Sequence, residues 1–191
     1  MKLILASGSP RRRELLAATG LEFTVVISPA EEIHDAGLGM AGLCEENARL
    51  KACAVAVDFP EDRVIGADTL VFIDGVALGK PKDLAEAKEM LRMLSGRCHQ
   101  VCTGGCIAGP GEKFVTFHAV TNVIFHALDD ERIDEYLSKT SPLDKAGAYG
   151  IQDHGEMIVE RIEGDFDNVM GLPVGLLLAM IEGIRLPKGG R

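Results

Sequence analysis

The sequence predicts an α/β fold in which helices pack against a mixed sheet. Apolar and β-branched runs of strand length alternate along the chain with segments whose apolar residues recur at helical spacing. Two turn signals, at residues 74–75 and 109–111, separate consecutive strands and predict antiparallel pairs. Helices interleaved with strands, some of them antiparallel neighbours, define an α/β class with a mixed sheet.

The N-terminal part is expected to form a strand, a loop and a helix. Residues 2–6 are a short apolar run of strand type. Ser9 can then cap a helix whose first position suits Pro10. Residues 23–27 predict a second strand, and a long polar loop over residues 28–42 follows. Loops of that length usually serve a binding or catalytic site.

The remaining elements continue this alternation. Further strands are expected over residues 64–67, 70–73, 76–78, 99–107, 114–126 and 157–162. Further helices are expected over residues 43–57, 84–94, 129–137 and 174–184. Irregular segments are expected over residues 145–152 and 164–168, and the tail after residue 184 is expected to fray.

Composition limits the classes of protein. With 191 residues, 47% of them hydrophobic, residues 1–191 can bury a core as a single domain. The net charge of -9 would repel a polyanion, so we expect no nucleic-acid partner. No apolar run is long enough to cross a bilayer, and residues 1–5 lead into a core strand rather than a signal peptide. We therefore expect a cytoplasmic protein without a membrane partner.

The cysteines indicate reduced thiols. Their number, five, is odd, and the chain carries no export signal, which argues against a disulfide framework. Cys98, Cys102 and Cys106 recur every four residues, but in a strand this spacing separates neighbours by about 13 Å, too far for one zinc ion. We interpret these three as small buried hydrophobic residues.

Three consecutive arginines begin the first helix. A helix N-terminus carries a partial positive charge, so cations such as Arg11 and Arg12 are mildly destabilising in its first turn. Together with Ser7 in the preceding loop, they indicate that an anion binds here, and a phosphate fits best. A solvated basic turn is the alternative.

Asp68 is the strongest candidate for a catalytic group. It follows an apolar run, at the point where the strand is expected to end and to open onto a ligand crevice. A carboxylate in that position can hold a divalent metal or accept a proton from water. The alternative is a turn cap made by Asp68 and Thr69.

Cations and carboxylates on other elements indicate nucleotide chemistry. Lys51 and Lys80 add to the arginines the positive charge that a triphosphate requires, although each lysine alone would be interpreted as a surface residue. Glu31 and Glu32 add hard oxygen ligands suited to magnesium or manganese. The phosphate loop of P-loop NTPases is absent. His99 is expected to be structural, and because no serine or cysteine has an evident histidine partner, water is the expected nucleophile.

Six sequence blocks occur in a fixed order along nearly the whole chain: residues 6–12, 66–69, 79–81, 95–103, 145–152 and 164–173. In this combination the chain resembles the Maf family of nucleoside triphosphate pyrophosphatases. The resemblance implies an elongated mixed sheet flanked by helices, with a cleft between two lobes as in the inosine triphosphate pyrophosphatases, and it implies a homodimer.

The resemblance also implies a reaction. Water attacks the α-phosphorus of a nucleoside triphosphate and releases pyrophosphate and the monophosphate, with a divalent cation (Mg²⁺ or Mn²⁺) required. The family's proton acceptor falls on Asp68, which with Glu32 would hold the metal. Its specificity positions fall on Arg11, Thr69 and Gln152. Further contacts to phosphate or metal fall on Ser7, Arg12, Lys51 and Lys80.

Residues 148–152 resemble the branch of the family that acts on dTTP and UTP rather than the branch that prefers 7-methyl-GTP. The amide of Gln152 can match the donor and acceptor edge of a thymine or uracil ring, and modified pyrimidine nucleotides fit the same argument. Asp153 stands where the family more often has a small residue. Two other functions use the same residues: a nucleotidyltransferase that forms nucleotide sugars, and a nucleotide-sensing regulator of cell division without turnover.

Overall fold

The computed structural model describes residues 1–34, 36–111 and 113–184, and within them it contains seven strands and six α-helices. The strands are β1 (Leu3–Leu5), β2 (Thr24–Val25), β3 (Arg63–Ile73), β4 (Val76–Leu78), β5 (Cys98–Gly109), β6 (Lys113–Phe125) and β7 (Val159–Glu163). The helices are α1 (Pro10–Ala18), α2 (Gly39–Ala56), α3 (Leu84–Leu94), α4 (Asp130–Lys139), α5 (Phe166–Met170) and α6 (Val174–Ile184). Short 3₁₀ turns occupy Ala36–Leu38, Pro142–Asp144, Ala146–Ala148 and Gly155–Met157. The tail predicted to fray lies outside the described residues.

The strands form one mixed sheet, which confirms the predicted fold class. Their order is β2-β1-β3-β5-β6-β7, with β4 paired to β3 as a hairpin arm. Strand β1 runs parallel to both β2 and β3, whereas β3, β5, β6 and β7 are antiparallel neighbours. The two turn signals in the sequence therefore mark the antiparallel half of the sheet, and the strand–helix unit at the N-terminus builds the parallel half.

Strand β3 is longer than predicted, and this corrects the placement of Asp68. The sequence suggested that a strand ends at this residue, but β3 continues to Ile73 and Asp68 pairs with Gly104 near its middle. The continuation is stabilised because Leu70 and Phe72 are buried in the same apolar cluster beneath α2. Asp68 is thus a buried carboxylate inside the sheet rather than a group at a strand exit.

Two predicted loops contain helix. Helix α2 begins at Gly39 rather than at residue 43, and Met40 packs against the buried cluster that includes Leu43. Short helix α5 lies where the last loop was expected, and Asp165 caps it by accepting a hydrogen bond from Asp167 N at 2.9 Å. Neither the earlier start of α2 nor the presence of α5 can be predicted from the local residue pattern, because each depends on contacts with residues elsewhere in the chain.

Helices cover both faces of the sheet. Helix α2 packs on one face against side chains that include Ile4 and Val64. On the opposite face, α1 and α6 pack against side chains that include Leu5 and Ile65. Because strand side chains alternate between faces, consecutive residues of β1 and β3 contribute to different cores.

The face that carries α1 and α6 is divided by polar residues. Ile65 belongs to the cluster with α1 and α6, and Val71 belongs to a separate cluster with α3 and α4. Between them on β3 lies Thr69, whose hydroxyl oxygen is 2.9 Å from that of Thr103 on β5. The break between the two apolar clusters corresponds to the predicted cleft between two lobes.

The five cysteines are free thiols, as predicted. Cys102 and Cys106 are buried, but Cys98 is exposed, so its interpretation as a buried hydrophobic residue was wrong. Cys98 is the first residue of β5, where the strand leaves the cover of the helices.

Within the described part of the chain, no helix combines the length and the apolar character that crossing a bilayer requires.

Helix α2 lies unusually close to the centre of the sheet. A Cβ atom on Gly104 would lie 2.2 Å from the backbone carbon of Cys44, and one on Gly66 would lie 2.2 Å from the carbonyl oxygen of Ala48. Two glycines on neighbouring strands therefore admit the helix backbone, and any larger side chain would displace it.

We expect Gly104→Ala to lower the free energy of unfolding by about 2–3 kcal/mol, because the added methyl group must push α2 off the sheet. Gly109→Ala is the matched control on the same strand, since its Cβ would meet nothing closer than Lys113 O at 3.9 Å. Chemical denaturation of both variants measures the difference. Equal stabilities would contradict the close packing.

Candidate active site

Nine of the residues singled out from the sequence line one cavity of about 450 Å³: Ser7, Arg11, Arg12, Glu32, Lys51, Asp68, Thr69, Lys80 and Gln152. Glu31, also named as a possible metal ligand, is exposed and does not line this cavity. The nine residues come from the loop after β1, α1, the loop before α2, α2, β3, the loop after β4 and the segment before β7. Five lysines or arginines and three carboxylates face this cavity, in a chain whose net charge is -9. The local excess of positive charge favours an anionic ligand.

The loop between β1 and α1 forms one wall of the cavity. Ser9 caps α1, because its Oγ accepts a hydrogen bond from Arg12 N at 3.5 Å. The Oγ of Ser7, which is buried, accepts a hydrogen bond from Ser9 N at 3.2 Å and so orders the turn before the helix. The first turn of α1 contains no acidic residue. Its unpaired N–H groups therefore lack a negative partner within that turn.

Arg12 connects distant parts of the chain. Its Nε donates to Gly171 O at 2.8 Å, its Nη2 to Thr69 Oγ1 at 2.9 Å and its Nη1 to Ser7 Oγ at 3.3 Å. Burial lowers the pKa of Arg12 from its ordinary value, while the charge of Asp68 opposes that change. A guanidinium has five N–H donors, so two remain for a ligand after these three hydrogen bonds.

The carboxylates of Asp68 and Glu32 converge on one ammonium group. Lys51 Nζ lies 2.6 Å from Asp68 Oδ1 and 2.7 Å from Glu32 Oε1. Burial raises the pKa of Glu32, but the hydrogen bond and charge of Lys51, with smaller contributions from Lys80 and Arg12, hold it below its ordinary value. Both carboxylates therefore face the same point from β3 and from the loop before α2.

Asn47 is a site residue that sequence reasoning missed. Its Nδ2 donates to Asp68 Oδ2 at 3.2 Å and to Ile33 O at 3.1 Å, while its Oδ1 accepts from Ile33 N at 2.8 Å. The side chain is buried. It fastens the loop that carries Glu32 to α2 and orients Asp68. The available signal was its position four residues before Lys51 on the same helix, which puts both side chains on one face.

This donor set fits a divalent cation. In phosphate chemistry, Mg²⁺ binds one or two carboxylates and completes its coordination with phosphate oxygens and water. Asp68 and Glu32 supply two carboxylates whose oxygens approach a common point. No group of three or more histidine, cysteine, aspartate or glutamate side chains suited to a metal occurs among the described residues. A cation held by Asp68 and Glu32 would therefore draw its remaining ligands from substrate and solvent.

The three residues predicted to govern specificity come from separate parts of the chain, namely α1, β3 and the segment before β7. Thr69 Oγ1 is engaged by Arg12 and by Thr103, and Gln152 is exposed at the rim. Arg11 Nη1 lies 3.3 Å from Asp144 Oδ2. Asp144 was not predicted as a site residue, because only the tertiary structure brings it to a helix 133 positions away in sequence.

A buried histidine supports the wall next to Gln152. His99 Nε2 lies 2.8 Å from the hydroxyl oxygen of Tyr149, and both rings meet Phe125 edge to face. Burial lowers the pKa of His99 to about 4 from 6.5. His99 does not line the cavity and contacts the wall residue Tyr149 from behind, which agrees with the prediction that it is structural.

His99 should make stability depend on pH. The pKa of His99 is lower in the folded protein than in the unfolded chain, so between pH 6.5 and about 4 only the unfolded chain binds a proton at His99. The free energy of unfolding therefore decreases as the pH falls through this range. The loss amounts to about 3 kcal/mol. We expect His99→Gln to flatten the dependence of unfolding free energy on pH across this range. If the unfolding free energies of wild type and variant change with pH in parallel, His99 is not the source of the pH dependence.

Comparison with known proteins identifies the family. The fold and cavity define an α/β protein with a mixed-charge cleft assembled from both ends of the chain. The model of the family described as Maf-like protein matches residues 2–184, and the chain belongs to this family. The resemblance drawn from the six sequence blocks is thereby confirmed.

Two curated relatives cover almost the whole chain. A protein of Akkermansia muciniphila named dTTP/UTP pyrophosphatase is 47% identical over 183 residues, which is 95% of this chain and 96% of that protein. A protein of Bacillus cytotoxicus with the same name is 50% identical over 181 residues, covering 95% and 94% of the two chains. Among solved structures, the Staphylococcus aureus Ham1 protein shares the fold with a TM-score of 0.58 at 17% identity, covering 96% of this chain and 100% of that one.

Proposed function

We propose that the protein hydrolyses nucleoside triphosphates to the monophosphate and pyrophosphate, with dTTP, UTP or modified pyrimidine nucleotides as substrates. The observation that carries the proposal is the convergence of two carboxylates and cations from separate segments on one cavity. The names of the two relatives described above support the choice of substrate. These relatives are 47–50% identical to this chain over nearly its full length, which supports assigning it the same class of substrate.

In this proposal the triphosphate binds along the wall formed by the N-terminal loop. Arg12 contributes its two remaining N–H donors, and Ser7 and the first turn of α1 contribute polar hydrogens. The exposed Lys80, in the loop after β4, adds a further positive charge. These positive groups neutralise the charge that the departing pyrophosphate accumulates. Stabilising such developing charge with preorganised donors is the main contribution of a protein to phosphoryl transfer.

Asp68 and Glu32 would hold a divalent cation, Mg²⁺ or Mn²⁺, which when bound polarises phosphate oxygens as a Lewis acid. Lys51 bridges both carboxylates in this structure, and the triphosphate competes with them for its ammonium group. Transfer of Lys51 to a phosphate oxygen would free the lone pairs of Asp68 Oδ1, one to face the cation and the other to accept a proton. Asn47 keeps Asp68 oriented meanwhile through Oδ2.

The bond changes follow from this arrangement. A water oxygen forms a bond to the α-phosphorus, the bond from that phosphorus to the bridging oxygen of the β-phosphate breaks, and Asp68 accepts the proton of the water. Pyrophosphate leaves towards Arg12 and Lys80. The base lies towards Thr69, Arg11 and Gln152, where the amide of Gln152 can pair with the edge of a pyrimidine ring.

We further propose that residues 1–191 act as one domain in a cytoplasmic homodimer, with neither a nucleic-acid nor a membrane partner. Five free thiols suit a reducing compartment, and the acidic net charge opposes binding of a polyanion.

The decisive variant is Asp68→Asn. We expect kcat for pyrophosphate release to fall by about 10³-fold, with nucleotide affinity little changed, because the amide keeps the shape of the carboxylate but accepts no proton. Asp58→Asn, at an exposed aspartate outside the cavity, is the matched control. Monophosphate and pyrophosphate should be quantified for a panel of canonical and modified triphosphates with Mg²⁺ and with Mn²⁺.

Two outcomes of that assay would contradict the proposal. If wild-type protein releases pyrophosphate only after a sugar phosphate is added, it is a nucleotidyltransferase. If it binds nucleotides but releases no pyrophosphate under any of these conditions, it is a nucleotide sensor.

Arg11→Ala tests the base and phosphate contacts separately from the chemistry. We expect KM for the triphosphate to rise about tenfold and discrimination among bases to weaken, since the variant removes binding energy rather than the proton acceptor. Arg13→Ala is the matched control, because Arg13 is exposed and is not among the residues lining the cavity. Identical steady-state kinetics for both variants would mean that Arg11 does not contact the substrate.

A further inference from the structure

Beside the cavity lies a buried lysine to which the mechanism assigns no role. Only 5% of the Lys145 side chain is exposed. Its Nζ lies 2.6 Å from Ser141 O, 2.9 Å from Asp144 Oδ1 and 3.1 Å from Asp153 Oδ2. A buried ammonium group is costly unless oxygen atoms compensate it, and here two carboxylates and a carbonyl do so.

These contacts use the hydrogen-bonding capacity of Lys145. An ammonium group has three N–H donors and no acceptor, and three oxygens already lie within 3.1 Å of it. Two of these contacts are hydrogen bonds and the contact with Asp153 is an ion pair, so the ammonium group is already compensated within the protein. Lys145 therefore acts through its partners, although its side chain lies at the wall of the cavity.

Each carboxylate partner leads to a residue proposed to select the base. Asp144 Oδ2 lies 3.3 Å from Arg11 Nη1, while its other oxygen faces Lys145. Burial raises the pKa of Asp144, but Lys145 and then Arg11 outweigh burial and hold it below its ordinary value. Asp153 directly follows Gln152 in the chain. One ammonium group thus joins α1 to the segment that carries Gln152.

The backbone around Lys145 leaves little room for an alternative position. A Cβ on Gly150 would lie 2.9 Å from Lys145 Cε, so the chain passes directly over the lysine stem. Ala148 has a φ of 65°, a left-handed conformation that costs energy for a residue other than glycine. Tyr136 Oη fixes the same segment by accepting a hydrogen bond from Gly150 N at 3.1 Å.

We propose that Lys145 is a positioning residue for base selection, holding Asp144 against Arg11 and Asp153 beside Gln152 so that the two base-selecting side chains keep a fixed spacing. This inference rests on the proposed function. It also gives a role to Asp153, whose carboxylate is the second anchor of the lysine.

The test compares two variants with one control. Lys145→Met keeps the length of the side chain and removes its donors, and Asp153→Asn keeps the shape of the partner and removes its charge. Lys139→Met is the matched control, because Lys139 is an exposed lysine at the same rim whose Nζ pairs with Glu135 Oε1 at 2.5 Å. For each protein, kcat/KM is measured with dTTP, UTP, CTP and dATP, together with the midpoint of thermal unfolding.

We expect both variants to reduce the preference for dTTP and UTP over CTP and dATP by about tenfold, mainly through KM, while the control keeps the wild-type preference. A merely structural role would lower activity with all four nucleotides equally and would overturn the proposal. If Lys145→Met fails to fold, the result for Asp153→Asn decides the question. The carboxylate of Asp153 is partly exposed, and its replacement removes only one contact of Lys145.

The proposed function and this inference fail in different ways. A wild-type protein that hydrolyses none of the four nucleotides overturns the proposed function, and the positioning role falls with it. Normal hydrolysis by wild type with unchanged base preference in both variants overturns the positioning role alone.

Discussion

The close packing of α2 on the centre of the sheet is the contact on which the site depends. Gly66 and Gly104 lack side chains where the helix backbone crosses β3 and β5. Asp68, which pairs with Gly104, points towards this helix, and Asn47 and Lys51 are therefore close enough to bind both of its oxygens. A helix displaced outward by a methyl group would lengthen the contacts that Asn47 and Lys51 make with this buried carboxylate, and those contacts offset the cost of its burial.

The site also depends on joining the two ends of the chain. Arg12 in the first helix binds the carbonyl of Gly171 near the last helix, and Thr69 lies between them on the central strand. Asn168 anchors the C-terminal segment to the sheet by donating to Val101 O and Thr121 Oγ1, each at 3.0 Å. A short segment that resembled a surface loop in the sequence thus holds the arginine that faces the cavity.

Sequence patterns predicted most elements but not how far they extend. The hairpin turns, the alternation of helices and strands and the mixed sheet were correct because turn residues and apolar periodicity are local properties. The length of β3, the start of α2 and helix α5 were wrong because burial against distant elements stabilises those residues. The site positions of Asn47 and Asp144 were not predicted for the same reason, since their partners Asp68 and Arg11 lie 21 and 133 positions away in the chain. Lys145 was not predicted as a site residue although its partners are near it in sequence, because the residue pattern does not report that its ammonium group is buried.

The residue types alone determined the chemistry that this protein can support: a cluster of arginines at a helix start, an aspartate after an apolar run, and lysines and glutamates on separate elements. Family resemblance in ordered blocks then assigned these residues to one class of reaction. Only the tertiary structure decided that they share one cavity and which of them neutralise one another, such as Lys51 with Asp68 and Glu32. The physical reason is that hydrogen bonds and ion pairs act over about 3 Å, and distances of that size between remote residues are set by how helices pack on the sheet.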